Sequence, residues 1–155
     1  MDIKIDDLSG GQVIELLEQH LADMYANSPP ENVHALDVNA LKSPQITFFS
    51  SWLGDELQGC LAMKTLTPEH IELKSMRTSN KARKSGVASE LLTHVLTTAK
   101  AQGYRKASLE TGTQAFFKPA RNLYTKFGFH YCEPFADYKA DPCSCFMTKS
   151  LDELE

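Results

Sequence analysis

The spacing of apolar residues changes period several times along the chain, and each change marks a predicted element. DIKIDDL alternates apolar and polar positions and predicts a short strand. SGGQVIELLEQHLADMY then places Val13, Ile14, Leu16, Leu17, Leu21 and Met24 on one helical stripe, with Ser9 and Gln12 at capping-box spacing. SPPENVHALDVNAL reads as a second helix started by proline. After Pro44 the period shortens. QITFFSSWL and ELQGCLAMKTL are β-rich runs split by Gly54-Asp55, a hairpin signal, and HIELKSMRT is a third run after Pro68 and Glu69. Together they predict an antiparallel meander.

From Gly86 the apolar positions Val87, Leu91, Leu92, Val95, Leu96 and Ala99 return to helical spacing, up to a C′ glycine at Gly103. KASLETG predicts a buried strand, FFKPARNLYTKFG a helix ending at Gly128, and FHYCEPF and CSCFMTKSL two closing strands. The predicted order is β-α-α-β-β-β-α-β-α-β-β, an α/β fold of the mixed-sheet (α+β) kind. The helix over 87–102 is long enough to cross between two parallel strands, so the sheet is expected to be mostly antiparallel with one parallel pair at its centre. The loop 79–86 then lies at the carboxyl end of the fourth strand, where α/β sheets place ligands.

Composition narrows the partners. At 155 residues, with no repeat, low-complexity tract or linker, the chain is expected to form one domain, 1–155. A net charge of −4 does not suit coating nucleic acid or an anionic membrane, so any anion site must be local. No basic segment followed by an apolar stretch opens the chain, and no run approaches the ~18 apolar residues of a membrane span. A cytoplasmic location, with no membrane and no nucleic acid as partner, is the expectation. Cys60, Cys132, Cys143 and Cys145 include only a lone C-x-C, a poor metal signal, and are read as small apolar fillers in strands; no metal is expected.

The candidate chemistry gathers at ARKSGVASELL. A helix start is already electropositive, yet Lys81, Arg83 and Lys84 add charge beside it, which favours an anion there. Gly86 lets several N–H groups face one point, and Ala88 keeps the first turn narrow enough for a phosphate or pyrophosphate. The alternative is a set of solvated loop lysines before an ordinary helix. Neither the Walker pattern nor G-x-G-x-x-G is present.

The run Arg83, Lys84, Ser85, Gly86, Val87, Ala88 resembles the R/Q-x-x-G-x-G/A loop of the GNAT superfamily of acyl-CoA-dependent N-acetyltransferases, whose loop amides bind the CoA pyrophosphate. The segment from IELKSMRT to LETG resembles that family's strand-loop-helix-strand core, and ARNLYTKFGF its signature of a tyrosine before a terminal Gly-Phe. The element order is the family's as well, including a splayed parallel pair. The resemblance implies the GNAT fold and acetyl-CoA as cosubstrate, with Arg83, Lys84, Ser85, Gly86, Val87 and Ala88 around its pyrophosphate. A backbone N–H near Met76, Arg77 or Thr78 is then expected at the thioester oxygen. One departure is Phe117, which stands seven residues before the tyrosine where many members have asparagine.

Acyl transfer to an amine needs a proton acceptor, because an alkylammonium is no nucleophile at neutral pH. Glu72 on the fourth strand and Glu110 on the fifth flank the predicted gap; resemblance to family members with a glutamate on the fourth strand puts Glu72 first and Glu110 behind it, while Lys74, on the same face as Glu72, makes an ion pair the alternative use of that carboxylate. Tyr124 matches the family's tyrosine acid, which would protonate the departing thiolate; otherwise it is a core aromatic beside Leu123 and Phe127. Asp137, Tyr138 and His34 are the candidate acceptor contacts, in segments where Glu133, Asp141, Glu31 and Asp37 are also carboxylates. His130 reads as structural, and no cysteine is placed for a ping-pong nucleophile.

The expectation is direct acetyl transfer in a ternary complex to a small-molecule or peptide amine, with a homodimer as a further partner expectation. The rival is a non-catalytic acyl-CoA sensor that acts on a partner protein. A nucleic-acid module built on RTSNKARK has one short basic run and no aromatic interleaving.

Overall fold

In the computed structural model, which describes residues 2–30, 38–82 and 85–153, the strand runs join into one sheet. Its strands are β1 (Asp2–Ile5), β2 (Ile46–Leu53), β3 (Glu56–Thr67), β4 (His70–Thr78), β5 (Lys106–Gly112), β6 (His130–Cys132) and β7 (Ser144–Ser150). Their order across the sheet is β1-β2-β3-β4-β5-β7-β6, and every pair is antiparallel except the central β4–β5. The helices are α1 (Gly11–Asn27), α2 (Val38–Leu41), α3 (Val87–Ala101) and α4 (Lys118–Lys126). The β-α-α-β-β-β-α-β-α-β-β order is thus observed. Of the segment expected to form the proline-started second helix, residues 28–30 and the closing turn, α2, fall among the described residues; Glu31, His34 and Asp37 lie outside them, as do Arg83 and Lys84. No helix among the described residues is long and apolar enough to cross a membrane.

The period-2 and period-3.6 stripes bury each other on two faces. On one, Ile71, Leu73, Ala107, Leu109 and Met147 meet Leu91, Leu92, Val95, Leu96 and Ala99 of α3, all at most 4% exposed. On the other, Phe48, Cys60 and Ala62 meet Val13, Leu16 and Leu17 of α1 and Leu41 of α2. Burial pushes the Cys60 thiol up to about 12, so it packs as an apolar side chain. All four cysteines are free thiols, and Cys143 lies in the turn before β7 rather than in a strand.

The capping box does not form. α1 starts on Gly10 with no side-chain cap, and Ser9 Oγ turns to Asp7. Gln12 reaches instead to the β2–β3 hairpin, donating to Asp55 O at 3.0 Å and accepting from Leu57 N–H at 3.0 Å. Tying a helix to a hairpin more than forty residues away outweighs the local cap.

Two backbone features open the sheet. Across β3–β4, Cys60 pairs with Arg77 and Ala62 with Lys74, so Ser75 and Met76 share one partner position in a β-bulge. Ser75 takes φ +55, a conformation costly for a residue with a side chain. The bulge also reverses which face the following side chains take, putting Met76 on the α3 side and Arg77 on the α1 side. The parallel β4–β5 register runs from His70–Lys106 to Leu73–Leu109 and stops there, while β5 continues along β7 as far as Gly112. Beyond Leu73 the two central strands diverge into a wedge. Gly59 brings α3 close to it: a Cβ there would lie 2.9 Å from Arg77 O and 3.0 Å from Val87 Cγ1, so only glycine lets the first turn of α3 settle on β3.

Candidate active site

The wedge holds a cavity of about 110 Å³ with walls from five elements. β4 supplies Glu72, Lys74, Ser75 and Met76, β5 supplies Glu110, α1 supplies His20 and Met24, α4 supplies Tyr124, and the β6–β7 loop supplies Tyr138. Glu72, Lys74 and Tyr138 form a closed network. Lys74 Nζ lies 3.1 Å from Glu72 Oε2 and donates to Tyr138 Oη at 2.8 Å, and Tyr138 O–H donates to the same Glu72 oxygen at 2.6 Å. The Lys74 and Glu72 side chains are only 8% and 3% exposed, so each charge depends on the other. Ring contacts of 5.2 Å to Phe135 and 5.4 Å to Phe146 hold Tyr138 in place. Burial, and then the Glu72 charge, raise its pKa, so Tyr138 is a hydrogen-bond donor and not a base.

Tyr124 approaches from the α3 side. It is 7% exposed and packs edge-on to Phe129 at 5.8 Å, and no described residue accepts its O–H. Burial, followed by the charge of Glu110, raises its pKa and keeps the phenol protonated. Glu110 accepts from Ser144 Oγ at 2.8 Å and lies close enough to Tyr124 to act on it electrostatically. His20 carries no hydrogen bond among the described residues; burial, then the Arg77 charge, lower its pKa to about 4. It is therefore a neutral imidazole at neutral pH.

That depressed value has a consequence for stability. The unfolded chain takes up a proton near the ordinary 6.5, whereas folded His20 stays neutral down to about 4. Stability is therefore expected to fall as pH drops through this window, by roughly 2–3 kcal/mol from this group. Urea midpoints measured from pH 7 to pH 4 should show a shallower decline in His20→Gln.

At the mouth of the wedge, α3 begins on Gly86 at φ +85 with no side-chain cap, so its first amides have no partner within the helix. Only glycine takes this turn without strain, and nothing lies within 4 Å of where a Cβ would stand. Ser85 Oγ folds back onto Ala82 O; Val87 is buried under the sheet and Ala88 is partly exposed.

Comparison with known proteins decides the family. The model of the Acetyltransferase (GNAT) family matches residues 13–129. The chain belongs to this family. It is 56% identical over 151 residues to the uncharacterized N-acetyltransferase YsnE of Bacillus subtilis, covering 97% of this chain and 100% of that one. It is 36% identical over 141 residues to an IAA acetyltransferase of Azospirillum brasilense, covering 90% and 89%. The fold superposes at TM-score 0.72 on an aminoglycoside 6'-N-acetyltransferase complexed with coenzyme A, at 15% identity over 97% of each chain. A GNAT family acetyltransferase from Elizabethkingia anophelis with acetyl-CoA bound matches at TM-score 0.67 and 18% identity, over 96% and 97%.

Within this GNAT domain, Glu72, Glu110, Met76, Tyr124 and Tyr138 share one cavity. Arg77 does not line it: its Nη1 is 2.6 Å from Asp23 Oδ2 on α1, and only its charge reaches the cavity wall, at His20. Thr78 closes β4, and Asp137 borders a neighbouring cavity with His70 and Lys64. His20 was legible as the polar break in the α1 stripe, four residues past Leu16 and four before Met24. In the sequence Lys74 stands out only as an ion-pair partner of Glu72. Ser75 carried no signal at all, because a bulge has no fixed sequence pattern.

Proposed function

We propose that the protein transfers an acetyl group from acetyl-CoA to a primary amine while both are bound. One observation carries this reading: a phenol whose O–H no described residue accepts and a carboxylate whose charge reaches it line the same wedge, which opens beside an uncapped helix start. The residues present suit the cosubstrate. The α3 amides and Gly86 suit a pyrophosphate, Arg83 and Lys84 precede them in the sequence, and the unpaired edge of β4 suits an extended amide-bearing chain. Acetyl-CoA supplies an activated acyl carbon and a thiolate leaving group.

The ammonium of the acceptor gives its proton to a carboxylate, the free amine attacks the thioester carbonyl, and a backbone N–H near Met76 to Thr78 steadies the oxygen. As the C–S bond breaks, Tyr124 protonates the sulfur, and the proton leaving the new amide nitrogen restores the balance. Glu72 led the sequence reading, but its Oε2 already carries Lys74 and Tyr138. Glu110 accepts from Ser144 Oγ and reaches Tyr124 with its charge, and is taken as the base. Glu110→Gln is expected to lower kcat about 100-fold at neutral pH, read from initial rates with both substrates varied, which should intersect rather than run parallel. An unchanged kcat would return the role to Glu72.

A further inference from the structure

The cavity is not uniformly acidic. An ammonium has three donors, and Lys74 spends two of them, on Glu72 Oε2 and on Tyr138 Oη. The third has no acceptor among the described residues, although the side chain is 8% exposed and lines the cavity. Two more polar residues line the same space: among the described residues Ser75 Oγ is buried without a hydrogen-bond partner, and the neutral imidazole of His20 has none either. Buried donors without partners are rare because each costs free energy unless something accepts from it. Ser75 Oγ is such a group; with the third N–H of Lys74 beside it on β4 and the half-buried His20 ring across from them on α1, the walls suit a carboxylate, which offers two oxygens and about four lone pairs. Arg77, whose Nη1 is 2.6 Å from Asp23 Oδ2, does not line this cavity. Glu110, a carboxylate on the β5 wall that also accepts from Ser144 Oγ, suits the ammonium end of the same molecule.

Resting on the acetyl-transfer reading above, we propose that the acceptor is a small zwitterion, an amino acid or a similarly compact amine bearing a carboxylate. Lys74, with Ser75 and His20, holds the carboxylate and sets specificity, while the amine faces Glu110 and Tyr124. The volume of about 110 Å³ is below the range of drug-sized sites and suits a molecule of this size.

The test compares small L-amino acids (glycine, alanine, serine, threonine) with their primary amides, which keep the shape and lose the carboxylate charge. For at least one pair, kcat/KM for the acid should exceed that for the amide by roughly 10- to 100-fold, the equivalent of a charge-assisted hydrogen bond. Lys74→Met should bring that ratio towards one, and Lys74→Arg should keep most of it. A ratio measured on one preparation does not depend on how much of the variant is folded, and Glu72→Gln/Lys74→Met removes the stranded carboxylate. Amides used as well as or better than acids, or a ratio unmoved in Lys74→Met, would overturn the inference. If simple amines release thiol while amino acids do not, acetyl transfer stands and only the zwitterion falls. If no amine of either kind does, both fall.

Discussion

Tyr124→Phe is expected to lower the rate of acetyl transfer by roughly 10²- to 10⁴-fold, the usual worth of a positioned general acid. The hydroxyl is accepted by no described residue, so its removal strands no partner and the ring keeps its 5.8 Å contact with Phe129. Thermal midpoint and acetyl-CoA affinity should therefore stay close to wild type, and the loss should fall on kcat. A structural phenol behaves in the opposite way, losing stability and sparing turnover. Above neutral pH the wild-type rate should hold well past the ordinary tyrosine pKa, because burial and Glu110 keep the phenol protonated.

Gly112→Val is expected to cost about 3 kcal/mol of stability, lower Tm by roughly 6–12 °C and abolish most activity. A Cβ on Gly112 would lie 2.2 Å from Phe117 Cδ2 and 2.6 Å from the Gln114 side-chain oxygen, so the Phe117 ring has to leave. That ring is 8% exposed, lines the cavity and stands at the entry to α4, the helix that carries Tyr124. Arg121 Nη1 also ties this corner together, donating to Gly112 O at 2.6 Å and to Gln114 O at 2.9 Å. Adding Phe117→Ala to Gly112→Val should recover part of the stability, so that chemical denaturation of the double variant gives less than the sum of the single losses. Additive losses would show that the clash is relieved elsewhere.

Much of this architecture was legible because apolar period is a local property. The Val87 to Ala99 stripe and the strand runs on either side of it fixed the α3 crossover, and with it the parallel β4–β5 pair. The loop into α3 was legible through its glycine and its resemblance to a known pattern. Other features depend on residues distant in the chain. Tyr138 meets Glu72 across 66 positions, and Gln12 leaves its own helix end for Asp55 and Leu57. The bulge at Ser75 and Met76 is set by pairing with β3, which no periodicity records. Glu72 leads as base through the resemblance to family members with a glutamate on the fourth strand; its spacing to Lys74 shows the possible ion pair, but no local pattern shows the Tyr138 phenol that completes the network.

Acetyl transfer itself is tested most directly by mixing purified protein with acetyl-CoA and a panel of amines, polyamines, amino acids and lysine peptides, and following free thiol alongside product mass. Thiol release that requires an acceptor, saturates in both substrates and matches the N-acetylated product is the expected result. Saturable acetyl-CoA binding with no thiol release on any acceptor would contradict it and leave a binding protein that senses acyl-CoA.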